Sequence, residues 1–403
     1  MDKIGIELEE AQALIRHHIS PVTDTEVTGV LHAAGRILAE DIYAAVDQPP
    51  FPRSPLDGYA FRSRDVADAS EEAPVVLQVA ARVCAGEWCG RMVGAGEVVR
   101  IMTGAPMPEG ADCVIRQEEV ERRGEQILVP HPMKEYENYC FQGEDVKAGT
   151  LLVERGSTLG YIEQGILAAG GYDQVTVYRK PRIALFDTGD ELVQAGEPLR
   201  PGKIYDANLQ LLYGRLEELG YRPVTAKALG DDVDAVAEAI RQAAAQADLV
   251  ITTGGVSVGE KDIFHQVLPC LGAERLFWRI RMKPGTPALF ALSDGTPMIH
   301  LSGNPFAALA TFELLAKTAL ERLSGDRRLQ EKRTRAILAN SFRKTGRRRF
   351  LRGRLEDGMV TLPPTGMHAS GVLSSMRGCN CLVDVPSSEK PLAAGDPVEV
   401  ILL

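Results

Sequence analysis

The residue types best suited to chemistry gather in a glycine-rich turn, Thr252-Thr253-Gly254-Gly255-Val256-Ser257-Val258-Gly259-Glu260-Lys261-Asp262. The run Asp248-Leu249-Val250-Ile251 before it reads as a buried strand. Ile263-Phe264-His265-Gln266-Val267-Leu268 after it reads as a helix with Asp262 as N-cap. A strand, a glycine turn and a helix start together present unpaired backbone N–H groups to an anion. Gly254, Gly255 and Gly259 let a ligand approach the backbone, and Thr253, Ser257 and Asp262 flank it with two hydroxyls and a carboxylate. That composition suits a phosphorylated or otherwise anionic small molecule. The plainer alternative is a tight strand-to-helix connection without a ligand.

Other acids fall on turns at strand ends: Asp187-Thr188-Gly189-Asp190-Glu191, Asp206-Ala207-Asn208 and Gly230-Asp231-Asp232. Carboxylates beside a phosphate-binding turn suit a hard divalent cation, Mg²⁺ above all, bridging acid and phosphate. Asp206 and Asp232 are expected to serve as helix N-caps, which leaves Glu191 and Asp231 as the acids with the least structural role and so the candidate metal ligands. Arg279, Arg281 and Lys283 alternate along a strand-like run and would share one face, where they suit a second anion; a solvated strand edge is the alternative. Ser302-Gly303-Asn304-Pro305 is a second glycine turn entering a helix, suited to an anion or a hydroxyl. Ser54-Pro55-Leu56-Asp57-Gly58 and Thr103-Gly104-Ala105-Pro106 each place a small polar residue on a glycine turn, which by itself is ordinary turn chemistry.

The elements that must position these groups follow from the pattern. From Pro181 onward strands and helices alternate. Strands are read at Arg182–Phe186, Arg222–Ala228, Leu249–Thr252, Ala288–Ala291 and Met298–Leu301. Helices are read at Ala207–Leu219, Asp232–Gln246, Asp262–Leu271 and Pro305–Leu323. The alternation predicts a three-layer αβα domain around a mostly parallel sheet, which binds ligands at the carboxyl ends of its strands. Residues 54–143 show short apolar alternations between Gly and Pro turns, a small mostly-β domain. Apolar spacing predicts helices over 7–19, near Thr28–Leu38 and at Tyr161–Ala169, and Pro49-Pro50-Phe51-Pro52 reads as a stiff linker. The expected division is a discontinuous N-terminal domain (1–50 with 144–180), a β-rich domain (51–143), the αβα domain (181–326) and a C-terminal β domain (327–403).

With 403 residues the chain has length for about two to four domains. The net charge of −10 argues against polyanion binding by charge alone. The 327–354 segment carries 12 Lys and Arg against one acid, Glu331, but only Phe342 and Phe350 interrupt it. Nucleic acid is therefore not expected as a partner. Seven cysteines without a Cys-x-x-Cys pair fit a reducing compartment. With no secretory or membrane-spanning apolar run, the expected location is cytoplasmic and no membrane contact is expected.

These motifs, in this order, resemble those of the MoeA family of molybdopterin molybdenumtransferases, related to the gephyrin E domain. The segments that carry the resemblance are Ser54–Phe61, Gly96–Glu119, Gly143–Gly149, Pro181–Leu192, Pro201–Leu211, Thr252–Phe264, Lys283–Pro287, Ser302–Leu314 and Gly346–Arg352. The resemblance implies a dimer of four-domain chains and insertion of molybdenum from molybdate into adenylylated molybdopterin, with AMP released. It implies Asp57, Thr103, Asp145, Glu191, Asp231 and Asp262 as catalytic residues, the last three also holding Mg²⁺. It implies Thr253, Gly254, Gly255, Ser257, Gly259, Arg279, Lys283, Ser302, Gly303, Asn304 and Pro305 as ligand-binding residues. A molybdopterin adenylyltransferase or recipient molybdoenzymes are the implied partners.

Three positions depart from the family pattern: Pro55-Leu56 follows Ser54 where Ala-Met is usual, Arg279 replaces Lys, and Ser302 replaces Pro. A planar guanidinium holds an oxyanion in a different geometry from an ammonium. The alternatives are an adenylyltransferase, a tungstate-handling paralogue, and a non-catalytic scaffold.

Overall fold

The computed structural model describes residues 3–256, 263–343, 346–387 and 390–403. They form two compact units, one of residues 1–27, 35–39 and 176–403, the other of 28–34 and 40–175.

The first unit is built on a seven-stranded sheet. Its order is Lys3–Ile6, Glu274–Ile280, Leu289–Ser293, Thr296–Leu301, Leu249–Thr253, Ile183–Thr188, Thr225–Leu229. The last four of these run parallel, and Leu289–Ser293 is antiparallel to both its neighbours. Ile183–Thr188 and Leu249–Thr253 are buried at every position, which is why they read as unbroken apolar runs rather than alternations. Helices cover both faces. On one lie Leu8–His18, Asn208–Glu218 and the long element starting at Pro305, with Leu8, Ile15, Leu212, Leu216 and Leu320 packed on Ile183, Leu185, Ile251 and Ile299. On the other lie Val233–Ala244 and Phe264–Cys270, with Val236, Ile240, Phe264 and Val267 packed on Ala184, Phe186 and Val250. This is the αβα arrangement that the alternation predicts.

Asp232 caps the Val233–Ala244 helix, its Oδ1 accepting from Ala235 N at 2.8 Å. The element from Pro305 is helical to Ser324 but contains a π-helical turn at Phe312–Ala316. Inside it the Glu313 carboxylate, with no exposed surface, takes Arg215 Nε at 2.7 Å and Lys317 Nζ at 2.8 Å. The C-terminal segment forms a closed barrel of Arg333–Leu338, Met359–Thr361, Arg349–Glu356, Cys381–Val385 and Pro397–Leu402. Several cations of the 327–354 run are ion-paired there. Arg333 and Arg348 meet Asp384 at 2.8 and 2.6 Å, and Arg328 meets Asp326 at 2.6 Å.

The second unit holds a six-stranded sheet in the order Cys113–Arg116, Gly58–Phe61, Glu97–Ile101, Val75–Val83, Gln126–Val129, Glu121–Arg123. Its core is Phe61, Leu77, Val98, Ile115 and Ile127. Tyr161–Ala169 is helical as the spacing predicts.

Three sequence readings change. Thr28–Leu38 is not a helix: Thr25–Gly29 is extended and only Val30–His32 makes a single 3₁₀ turn. Val27, Thr28 and Gly29 are poor helix formers, and Gly35 takes a φ of +74°. Lys3–Ile6, where the sequence reading placed no element, is a strand parallel to Glu274–Ile280 at the sheet edge. The helix after the glycine turn runs Phe264–Cys270 with Ile263 at its N-cap position, and the expected cap Asp262 lies outside the described residues. Among the described residues, no helix is long and apolar enough to cross a membrane.

Candidate functional site

Four strand ends of the parallel sheet meet at one edge, held together by hydroxyls and amides. Thr188 Oγ1 donates to Thr253 O at 3.1 Å, and Thr253 Oγ1 donates to Ser302 O at 3.0 Å. Asn208 Nδ2 donates to Gly303 O at 2.8 Å. The two glycine turns touch: a Cβ on Gly303 would lie 3.2 Å from Gly254 Cα. Gly254, at φ +85°, leaves no room for a side chain, since a Cβ there would lie 2.2 Å from Thr188 O. Glycine at this position is therefore a packing requirement.

A cleft of about 560 Å³ opens over this edge. Gly254, Gly255, Glu191, Asp231, Ser302, Gly303, Asn304 and Pro305, all singled out in the sequence, line it. Glu191 is exposed and Asp231 half-buried. Asp231 is fixed by its turn: its N–H donates to Asp190 Oδ1 at 3.0 Å, and Asp190 N–H donates back to Asp231 Oδ2 at 3.2 Å. A second cavity, of about 310 Å³, adjoins the first and shares Pro287, Ser302 and Asn304 with it. Lys283, Arg349, His368 and Ser370 line that one. Burial, with Arg352 and Arg349 nearby, holds the His368 imidazole below its ordinary pKa, which favours its neutral form. The strand-end edge thus carries an acidic cleft and, next to it, a cationic one.

Several predicted residues stand elsewhere. Thr253 is fully buried beneath the turn, its hydroxyl committed to Ser302 O rather than facing the cleft. Arg279, Arg281 and Lys283 do not form one row. The Glu274–Ile280 strand ends between them, and Arg279 takes a φ of +69°, which breaks the alternation of faces. Arg279 lies over the Trp278 ring at 5.5 Å and Arg281 pairs with Glu7 at 3.4 Å, so of the three only Lys283 lines either cavity. Ser257, Gly259 and Asp262 lie outside the described residues.

In the second unit, Asp57 and Thr103 come together across the sheet. Thr103 N–H and Oγ1–H both donate to Asp57 Oδ1 at 2.7 Å, which holds the Asp57 carboxyl below the usual carboxylate range. Asp145 is exposed, its backbone N–H donating to Gln48 O at 3.0 Å.

The sequence reading did not select Asp187 and Asn208, which both line the cleft and are nearly inaccessible. Burial first, then the Asp206 carboxyl, push the Asp187 acid up to about 9. A carboxylate closing an otherwise apolar strand was the available signal. Asp206, one residue before the N-cap position of the Asn208–Glu218 helix, accepts the Leu209 N–H on its Oδ1 at 3.0 Å. Gly371, from the loop that precedes the Cys381–Val385 strand, also lines the cleft, and no local pattern marks it.

Three family models match in succession: "MoeA N-terminal region (domain I and II)" over residues 6–171, "Probable molybdopterin binding domain" over 184–322, and "MoeA C-terminal region (domain IV)" over 335–403. A molybdopterin molybdenumtransferase from Staphylococcus aureus strain Mu50 is 35% identical over 369 residues, 91% of this chain and 88% of that protein. One from Staphylococcus epidermidis strain ATCC 12228 is 34% identical over 371 residues, with the same coverage. Among solved structures, the MoeA molybdopterin biosynthesis protein of Pyrococcus horikoshii OT3 is 32% identical and superposes with a TM-score of 0.84, covering 99% of this chain and 100% of that one. The four strand ends, their two touching glycine turns and the flanking β-rich segments therefore have one common source: the chain belongs to the MoeA family of molybdopterin molybdenumtransferases.

Proposed function

We propose that this enzyme inserts molybdenum from molybdate into adenylylated molybdopterin, releasing AMP and the molybdenum cofactor. The observation that carries the proposal is the continuity of the acidic cleft with the cationic one through Ser302 and Asn304. The substrate's phosphoanhydride is polyanionic, and molybdate is a dianion. Lys283 and Arg349 give the second anion a cationic site within reach of the first. Glu191 and Asp231 would repel a phosphoanhydride unless a cation stood between, and their hard oxygens suit Mg²⁺.

Among the described residues no group of three or more His, Cys, Asp or Glu side chains is placed to hold a metal ion. An ion at Glu191 and Asp231 would take its remaining oxygens from phosphate and water, as Mg²⁺ commonly does. When bound it neutralises charge developing on the phosphate oxygens. Gly254 and Gly255 admit the phosphates to the backbone, and Glu191 and Asp231 orient the cation side of the linkage. Asp57, Thr103, Asp145, Ser257, Gly259, Arg279 and Asp262 belong to the proposal through the family pattern alone. So do action as a homodimer, cytoplasmic location, and exchange with an adenylyltransferase or a recipient molybdoenzyme.

The test is AMP release from adenylylated molybdopterin by the purified protein, with molybdate, tungstate or neither, with and without Mg²⁺. Release dependent on Mg²⁺ and molybdate is expected, and Asp231→Asn should reduce it by about a hundredfold, the scale on which loss of one group stabilising transition-state charge is felt. Nucleotide transfer from ATP to molybdopterin would instead assign the adenylyltransferase reaction. Tungstate supporting release while molybdate does not would assign the other metal.

A further inference from the structure

Asp187 is 2% exposed near the end of the Ile183–Thr188 strand. In register it stands between Ala228 and Thr253, so neither adjoining strand brings it a charge. Its Oδ1 accepts the Thr188 N–H at 2.9 Å. Its Oδ2 is buried and meets no donor. Within hydrogen-bond reach lies a second carboxyl, that of Asp206, itself 7% exposed. Glu191, also an acid, acts on Asp187 as well, and the cation Lys227 lines a separate cavity together with Asp206. The Asn208–Glu218 helix contributes the uncharged Asn208 beside Thr253, and Asp190 and Asp231 stand on the turns at the cleft rim.

Two buried carboxyls in contact, neither ion-paired with a cation among the described residues, do not both ionise. One proton held between them removes the repulsion and supplies the partner that Asp187 Oδ2 lacks. The direction of the Asp187 shift, upward through burial and the neighbouring acid, agrees with the geometry. Asp206 in turn belongs to the segment that lines the cleft with Ile204, Tyr205, Ala207 and Asn208.

We propose that Asp187 and Asp206 form a carboxyl pair sharing one proton, and that the pair fixes the Ile204–Asn208 side of the cleft around the ligand. Asp187 is thereby a positioning residue for the proposed reaction, and the inference rests on that reading for the ligand's identity. The shared proton also leaves one negative charge beneath a polyanionic ligand instead of two. Binding is then linked to that proton. Raising the pH through the pair's titration removes it, adds the second charge and weakens binding, by up to tenfold per pH unit.

The experiment measures the Kd of adenylylated molybdopterin with Mg²⁺, molybdate withheld, from pH 7 to 10. It uses the full-length protein and its Asp187→Asn and Asp187→Ala variants. Asn donates an N–H to the Asp206 carboxylate at every pH. Asp187→Asn should therefore bind within about threefold of the parent at pH 7 and lack the parent's additional weakening above pH 8, any common change from the ligand's own ionisation cancelling in the comparison. Asp187→Ala should bind roughly tenfold more weakly at pH 7, the scale of one lost hydrogen bond. Asp187→Asn binding as poorly as Asp187→Ala at pH 7, or weakening with pH as the parent does, overturns the inference.

The infrared carbonyl stretch of a protonated carboxyl tests the pair without ligand. It should be present in the parent at neutral pH and missing in Asp187→Asn, and its absence from the parent overturns the pair. Failure of the parent to bind the substrate at any pH would sink the proposed reaction instead, with the infrared result still deciding the pair.

Discussion

Replacing Gly254 by alanine separates two costs that the glycine turn combines. At φ +85° an L-residue is disfavoured by about 1–2 kcal/mol whatever surrounds it. A Cβ there would also stand 2.2 Å from Thr188 O and 2.8 Å from Thr188 Oγ1. Relief needs Thr188 to move, and Thr188 is held by its own hydrogen bond to Thr253 O and by strand pairing with Leu229. Forced overpacking of this kind costs a further 1–3 kcal/mol or so. The sum for Gly254→Ala is about 2–5 kcal/mol. Gly295, at φ +82° in the hairpin before Thr296, has nothing within 4 Å of its would-be Cβ, so Gly295→Ala should show only the first cost, about 1–2 kcal/mol. Urea unfolding in a Trp88→Phe background, followed by Trp278 fluorescence, reports this sheet alone, because the chain has two tryptophans. Gly254→Ala destabilising no more than Gly295→Ala would refute the packing argument and leave the glycine explained by ligand approach alone.

Glu313→Gln should cost about 3–5 kcal/mol in the same assay, because Arg215 and Lys317 lose their common buried counter-charge; a loss below about 1 kcal/mol would show that the trio is not desolvated. Thr103→Val removes one of the two donors to Asp57 Oδ1, so the Asp57 carboxyl should titrate at a higher pH by NMR, and an unchanged titration would assign the depression to the backbone N–H alone. Since a depressed carboxyl contributes stability above its unfolded pKa that is lost on acidification, the cost of Thr103→Val should be present at neutral pH and vanish in acid.

The αβα domain was legible because its central strands are buried on both faces and its helices carry a single apolar stripe. Both leave periodic traces in a one-dimensional string, as Leu209, Leu212 and Leu216 do. The glycine turns and Glu191 and Asp231 were legible for a related reason: strand ends of a parallel sheet share an edge, so placing the strands places their turns. What escaped the sequence depends on contacts between distant segments. Lys3–Ile6 is only four residues, Lys-Ile-Gly-Ile, too short a run to mark a strand, and its register with Phe277 and Ile280 is not written locally. Arg279 leaves its expected row because of one positive φ. Asp187 resembles its neighbour Asp190 in type and setting, and only the burial of one and the exposure of the other sets them apart.

The N-terminal strand has a consequence for how the chain is made. Lys3–Ile6 leaves the ribosome before its pairing partner, Glu274–Ile280, which follows roughly 270 residues later. Until then one border of the growing sheet is an open row of N–H and C=O groups, and the faces of Leu8, Ala11 and Ile15 have nothing to cover. A fragment cut to residues 184–322 would keep that border open permanently and should associate edge to edge. The same fragment supplied with a peptide of residues 3–19 should close itself, because that strand and helix cover the edge and the apolar face the fragment leaves open.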